Sequence, residues 1–231
     1  MARSVRGILL SGDSGDNTLH GTAGNDTILG YAGNDTIKGY EGADDLRGHE
    51  GDDTIEGGSG NDTIFGNEGI DTLDGGDGND TLYGNGGDDT FIGGGGDDYI
   101  GAGPGNDTIR GDSGADRFRF VENFDEFGVV PGTNVHTITD YHRAEGDYID
   151  LRGMDADGDR SNDTRKGNTD FRLVDDPSAS PGTAWFDALF NVNGQQIGVS
   201  VYLNYDLDAE ADTRIDVLGV TSLTWGVDIF G

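Results

Sequence analysis

The chain has 231 residues, of which 43 are glycine and only 32% are hydrophobic, so a single oily core of ordinary size is excluded. Against 14 basic residues stand 45 acidic ones, a net charge of -31 that repels nucleic acid and anionic membrane surfaces and makes cations the natural partners. There is no cysteine for disulfides or thiolate metal sites, and no apolar run approaches a membrane span.

The opening segment, residues 1–11, is expected to be an N-terminal cap. Its "MARSVRGILL" places two arginines before three apolar residues, too short for a secretory h-region, so an export address is expected elsewhere. From Gly12 to Arg119 the chain then repeats every nine residues without an insertion or deletion, as "GTAGNDTILGYAGNDTIKG" at 21–39 illustrates. Twelve nonapeptides fit this register. Position four is always glycine, position one is glycine except at Ala102, and position eight is always apolar, from Leu19 and Ile28 to Ile109 and Phe118. Position six is aspartate in eleven repeats and Asn17 in the first.

One apolar residue in nine buries nothing alone, but parallel strands stacked about 4.8 Å apart line position eight into a continuous internal ladder. Threonine, at position seven in nine repeats, suits the outward face of such a strand. The other six residues form turns, where glycine reaches backbone angles that strain other residues. Two nonapeptides make one coil, so odd repeats stack on one side and even repeats on the other. Asp26 then lies over Asp44, and Asp35 over Asp53. Carboxylates at that separation repel, and a cation is required between them.

Two carboxylates with turn carbonyls, and no His or Cys, form an all-oxygen cage suited to a hard cation of calcium size; magnesium fits flexible carbonyl-rich loops less well. Six loops on each side leave five gaps, hence at most about ten ions. Residues 12–119 carry 24 acidic and 5 basic residues, a net of -19 that ten divalent ions nearly cancel. A flexible acidic linker is the rival reading, but a linker needs no phase. It describes the calcium-free state instead: the chain is expected to stay unfolded where calcium is scarce and to fold at roughly 10⁻⁴ to 10⁻³ M.

These columns resemble the GGxGxDxUx nonapeptide of the RTX, or repeats-in-toxin, family. The resemblance implies an all-β fold, a right-handed parallel β-roll with three-residue strands and six-residue calcium-binding turns. It also implies a ligand set: Asp26, Asp35, Asp44, Asp53, Asp62, Asp71, Asp80, Asp89, Asp98, Asp107 and Asp116, with the backbone carbonyls of Gly24, Gly33, Gly42, Gly51, Gly60, Gly69, Gly78, Gly87, Gly96 and Gly105. Asn17 departs from the pattern, and the ends of the stack lack a second loop, so weak or empty terminal sites are expected.

After Phe120 the register stops and longer apolar alternations begin, so residues 120–231 are expected to form a separate β-rich cap covering the open end of the roll. "NVHTITDY", "GDYIDLRGM", "NGQQIGVSVYLNYD" and "TRIDVLG" read as its strands. "GADRFRF", "HTITDYHRAEGDYIDLRGMDADGD" and "AEADTRIDVLGVTSLTWGVDIFG" resemble the C-terminal domain of serralysin-type metalloproteases and other RTX proteins. His136 and Tyr141 depart from that pattern, and 155–170 looks like a polar insertion. The resemblance implies an uncleaved type I secretion signal, which Asp228, Ile229 and Phe230 fit and Gly231 fits less well.

No catalytic constellation is read. His20, His49, His136 and His142 never make HExxH, and "HEGDD" at 49–53 lies inside a turn. "GDSG" at 12–15 and 111–114 places Ser14 and Ser113 as turn residues, and the "NDT" sequons follow from the period. "DADGD" at 155–159 clusters carboxylates as calcium loops do, yet Arg160 stands where an EF-hand needs glycine. Leu29, Phe65 and Tyr83 share an outward column that would suit a sugar or partner, though isolated surface apolar residues are ordinary. The expected function is a secreted, extracellular, non-catalytic calcium-binding protein or module supporting type I secretion. Its alternatives are the C-terminal part of a metalloprotease, or a polysaccharide-binding or adhesion module resembling the R-modules of mannuronan C5-epimerases, for which Arg47, Arg110, Arg117 and Arg119 would have to form a basic stripe. Ice binding is disfavoured: the row Thr18, Thr36, Thr54, Thr72, Thr90 and Thr108 runs beside His20, Lys38, Glu56, Asp74, Ile92 and Arg110.

Overall fold

The computed structural model describes residues 6–120, 134–150, 172–173, 183–190, 196–204, 213–220 and 229–230. The repeat segment contributes β1 (Leu9–Ser11), β2 (Thr18–His20), β3 (Thr27–Ala32), β4 (Thr36–Glu41), β5 (Asp45–Glu50), β6 (Thr54–Ser59), β7 (Thr63–Glu68), β8 (Thr72–Asp77), β9 (Thr81–Gly86), β10 (Thr90–Gly95), β11 (Tyr99–Gly101), β12 (Thr108–Ser113) and β13 (Arg117–Arg119). Beyond it come β14 (Asn134–Ile138), β15 (Tyr148–Asp150), β16 (Arg172–Leu173), β17 (Thr183–Phe190), β18 (Gln196–Asn204), β19 (Thr213–Leu218) and β20 (Ile229–Phe230). Among the described residues there is no helix, hence none long and apolar enough to cross a membrane.

The fold is all-β, a parallel β-solenoid of the roll type. Successive strands alternate between two sheets, one ordered β1-β3-β5-β7-β9-β11-β13-β15-β20 and the other β16-β17-β18-β19-β14-β12-β10-β8-β6-β4-β2. Each strand of the roll therefore pairs with the one eighteen residues away, as in Ile28↔Leu46 and Ile37↔Ile55. That register stacks position eight into two facing ladders. Ile28, Leu46, Ile64, Leu82, Ile100 and Phe118 line one, and Leu19, Ile37, Ile55, Leu73, Phe91 and Ile109 the other, and all are buried. Burying each such side chain is worth roughly 2 kcal/mol, and the repeat multiplies that small term until a coil too thin for an ordinary core holds together.

The pairing extends further than three residues per repeat. Most strands run six residues, because pairing resumes after position one, as in Tyr31↔His49 and Ala32↔Glu50. Position two reaches this second stretch with positive φ: Tyr31, Tyr40 and His49 lie at 81 to 82°, where an L side chain costs about 1 kcal/mol or more. The strands of "NVHTITDY" and "GDYIDLRGM" appear as β14 and β15, and they lengthen the two sheets of the roll instead of starting a new one. Ile138 joins one ladder through Ile109, and Ile149 the other through Phe118. An open parallel edge demands a partner, and these strands supply it. "NGQQIGVSVYLNYD" and "TRIDVLG" give β18 and β19, which pair antiparallel with each other and bury Val199, Val201, Ile215 and Val217.

Candidate metal centres

Position six sits where the turn re-enters the strand, and its two ends are held differently. The N–H of Asp26 donates to Asp44 Oδ1 at 2.7 Å, that of Asp35 to Asp53 Oδ1 at 2.7 Å, and the same bond recurs up the stack to Asp98 and Asp116 at 3.0 Å. Its carbonyl accepts from position seven two repeats on, as from Thr54 to Asp35 at 2.8 Å. Each carboxylate is thereby fixed by one oxygen. The other oxygen has no such partner: Oδ2 of Asp35, Asp44, Asp53, Asp62, Asp71, Asp80, Asp89, Asp98 and Asp116 is buried without a hydrogen bond. Asp26 through Asp116 are all between 0 and 3% exposed.

A buried carboxylate oxygen without a donor costs free energy, and the cost appears in the acidity of these groups. Burial pushes Asp89 and Asp98 up to about 8, aided by the carboxylates of the turns on either side, Asp71 and Asp107 for the first and Asp80 and Asp116 for the second. Asp53 and Asp62 rise to about 7, and Asp71, Asp80 and Asp116 to about 6, each mainly through burial; Asp44 rises for the same reason. No Lys or Arg side chain among the described residues pairs with these carboxylates. Among the described residues no three His, Cys, Asp or Glu side chains converge as a metal cluster, so an ion between turns would draw its further ligands from other oxygens, the turn carbonyls among them. Hard oxygen donors of this kind fit calcium.

The glycines of positions one and four pack closely against those oxygens. At position one, a Cβ on Gly21 would lie 2.4 Å from Asp26 Oδ2 and 2.6 Å from the carbonyl oxygen of Gly39, so a side chain there requires the carboxylate to shift. Ala102 alone fills this position with a methyl group, and Asp107 Oδ1 still accepts the Asp89 N–H at 2.9 Å. At position four, Gly60 has φ 129°, and a Cβ would come 1.6 Å from the Gly42 carbonyl oxygen. The expected carbonyls of position four thus point along the stack axis onto the next turn, Gly33 onto Gly51 and Gly78 onto Gly96 likewise. The turns' N–H groups are bonded to oxygens of other positions, mostly three, five, six and nine, as in Gly51 N–H to the Glu68 carbonyl at 2.9 Å.

Three features escaped the sequence reading. Position five is Asn or Asp in most repeats, and its side chain accepts the N–H of the residue eighteen places on: the Asp52 N–H donates to Asn34 Oδ1 at 3.1 Å, and the Asn79 N–H to Asn61 Oδ1 at 3.1 Å. The column of position six also continues past residue 119. Asp147 Oδ1 accepts the Asp116 N–H at 3.1 Å, and Tyr148 N–H donates to the Asp116 carbonyl at 2.9 Å, as a position-six and a position-seven residue would. The turn at 139–147 therefore lies over 111–116 as a second loop, contrary to the expectation that the end lacks one. Asp140 takes the N–H groups of Gly111 and Asp112 at 3.0 and 2.8 Å, and Glu145 that of Gly114 at 3.0 Å. On the other sheet the equivalent place belongs to His136, whose Nδ1 lies 2.9 Å from Asp107 Oδ2, both side chains fully buried. The tripeptide Asp-Tyr-Ile, at 98–100 and again at 147–149, was the available signal.

Outside the turns, the expected outward column is real but filled. Leu29, Arg47, Phe65 and Tyr83 are in register; Arg47 lies over the Phe65 ring at 4.9 Å, and Phe65 stacks on Tyr83 at 5.0 Å and 14°. The column itself passes to Gly101, and Tyr99 beside it meets Tyr83 at 5.6 Å with the rings tilted by 57°, Arg117 lying over Tyr99 at 4.9 Å. Rings stacked face to face down a sheet cover each other's faces, which makes the column a cross-strand brace. Arg47, Arg117 and Arg119 share that sheet, whereas Arg110 lies on β12 of the other, beside Asp112 at 3.1 Å, so the four do not form one stripe. His49 stacks on Tyr31 and His20 on Tyr40. "DADGD" and Asp228 lie outside the described residues.

Comparison with known proteins agrees with the period. Residues 11–46, 38–73, 65–100 and 92–120 each match the RTX calcium-binding nonapeptide repeat. No curated protein matches the chain. Solved structures that resemble it include the solution structure of the AlgE6R3 subunit from the Azotobacter vinelandii mannuronan C5-epimerase, 21% identical, covering 90% of this chain and 73% of that one with a TM-score of 0.25.

Proposed function

We propose, from the premise that the chain carries RTX calcium-binding nonapeptide repeats over residues 11–120, that it is a non-catalytic calcium-binding module whose roll folds only as its turns take up the ion. The position-six aspartates are the ligands, each gap between adjacent turns of one sheet drawing on the carboxylate of both, and the carbonyls of position four and neighbouring turn residues complete the shell. The observation that carries this reading is the run of buried Oδ2 atoms without a donor, whose acidity is suppressed by burial and by each other. Calcium answers both deficits at once, because it binds the idle oxygen and cancels the charge.

Such a chain stays open where free calcium is micromolar and closes where it is millimolar, the range that suits extracellular modules. We therefore assign it to the outside of the cell, with export through a type I apparatus preceding folding and residues 120–231 serving as a serralysin-like C-terminal domain. The polysaccharide alternative gains no support from the Phe65–Tyr83 column, whose ring faces are consumed by stacking.

The test is a calcium titration of the metal-free chain followed by circular dichroism, with magnesium as control. The expected result is a coil-like spectrum turning β-rich between micromolar and millimolar calcium and unchanged by equal magnesium. A β-rich spectrum in excess chelator at neutral pH would overturn the reading.

A further inference from the structure

The two edges of the roll end differently, and the difference bears on how many ions each holds. On the sheet of β2 to β14, the position-six column reads Asn17, Asp35, Asp53, Asp71, Asp89, Asp107, His136 and then Ile215, which pairs with His136 across β14 and β19. On the sheet of β3 to β15 it reads Asp26, Asp44, Asp62, Asp80, Asp98, Asp116 and Asp147. The first column passes from acid to imidazole to hydrocarbon, and the second stays acidic to its last described turn.

We propose that the gap between Asp116 and Asp147 is a calcium site lying outside the nonapeptide repeats, and that His136 closes the opposite column by filling the equivalent gap with its own imidazole. This rests on the reading that the repeats bind calcium.

On the Asp116 side the gap has the geometry of a repeat, although "TDYHRAEGD" at 139–147 contains none of the repeat's glycine columns and Asp147, unlike the repeat aspartates, has both carboxylate oxygens bonded to main-chain N–H groups. Asp116 is 0% exposed, its N–H goes to Asp147 Oδ1, and its Oδ2 is one of the buried oxygens without a partner. A Cβ on Gly111 would stand 2.2 Å from that Oδ2, so position one of this turn gives way to the carboxylate as elsewhere. Asp147 is itself buried, and its Oδ2 accepts the His142 N–H at 2.6 Å. Asp140 and Glu145 are engaged with main-chain N–H groups, so they tie the covering turn down and add negative field. Two buried carboxylates with no nitrogen ligand beside them point to a hard divalent ion.

At the other edge the same place is already occupied. Val135 N–H donates to Asn106 Oδ1 at 3.0 Å and Thr137 N–H to the Asp107 carbonyl at 2.8 Å, the contacts of positions five and seven. Between them the ring of His136, packed on Phe120 at 4.8 Å, reaches Asp107 Oδ2, the oxygen left idle in Asp35, Asp53, Asp71 and Asp89. An imidazole donor there removes the deficit that an ion would answer.

Native mass spectrometry of the whole chain at saturating calcium counts the ions directly. Asp147→Asn is expected to carry one ion fewer than the parent. Asp147→Lys, which brings its own cation to the gap, should also carry one fewer while keeping the β-rich spectrum. His136→Asp should carry one more. Parent-like counts in Asp147→Asn and Asp147→Lys would overturn the site, and a parent-like count in folded His136→Asp would overturn the role of the imidazole. A parent chain that binds no calcium would instead defeat the functional reading on which this inference stands.

Discussion

The repeat roll and the antiparallel pair β18 and β19 bury acid in opposite ways. In β19 the carboxylate of Asp216 is met by Arg214 two residues away, at 2.9 and 2.6 Å, and the strand's inward face alternates Ile215 and Val217. Period-two apolar patterning and a local counter-charge let that pair stand on its own residues. In the roll, nine aspartates among the described residues keep an idle buried oxygen, and no basic side chain answers them. One apolar residue per nine offsets little of the cost. The same chain thus contains a part whose folding is written wholly in protein and a part whose folding is left incomplete until a solute arrives.

Removing the solute is the strongest way to break that contrast. With excess chelator at neutral pH, hydrogen exchange read by mass spectrometry should show the amides of 12–119 losing protection together, while those of β18 and β19 keep more of theirs. Equal loss in both regions would abolish the distinction. Acidification should recover part of the lost roll without any metal. The aspartates at about 7 and 8 lie far above the ordinary carboxylate value, so folding takes up protons. Their penalty is complete above about pH 8, declines as pH falls through the folded values, and is gone below about pH 4, the unfolded value. Circular dichroism in chelator should therefore gain β signal from about pH 8 down to about pH 5, and calcium affinity should weaken over the same interval. A flat profile would contradict the assignment of that penalty to the column.

Two glycines sharpen the comparison further. Gly60→Ala would put a methyl group into the Gly42 carbonyl, and in calcium it should cost about 3 kcal/mol or more by urea unfolding. Gly219, at the end of β19, also has positive φ, at 80°, but nothing lies within 4 Å of its Cβ position. Its change to alanine should cost only about 1 kcal/mol, the price of the conformation alone. Smallest is Tyr31→Gly in the roll. It relieves roughly 1 kcal/mol of backbone strain and forfeits the stack on His49, so a net change within about 1 kcal/mol is expected, with the sign telling which is larger.

Much of the roll was legible because one period fixes everything at once. Column eight named the ladder, column four the turn, and column six the acids that meet. The parts that stayed hidden obey the geometry without the spelling. β14 and β15 continue the sheets, yet only "DYI" in the second echoes a repeat, since the amides of Gly111 and Gly114 are met there by the side chains of Asp140 and Glu145 where the repeats use main-chain carbonyls. Position two was obscured for a different reason: Tyr31, Tyr40 and His49 accept a backbone conformation that composition argues against. The bond between Asn34 and Asp52 could not be read because a polar residue in a turn looks the same whether it faces water or its neighbour.

A coil of like rungs has, in principle, no reason to stop, and a second molecule set on its exposed last rung would find the same bonds waiting. Here the last repeat meets Asp140 and Glu145, whose carboxylates sit on amides that main-chain carbonyls take elsewhere in the stack, while Asp147 repeats the bond of the aspartate column. The repeat thus hands its edge to strands of the same chain, β14 and β15 and then β19 and β20, before any second molecule could claim it.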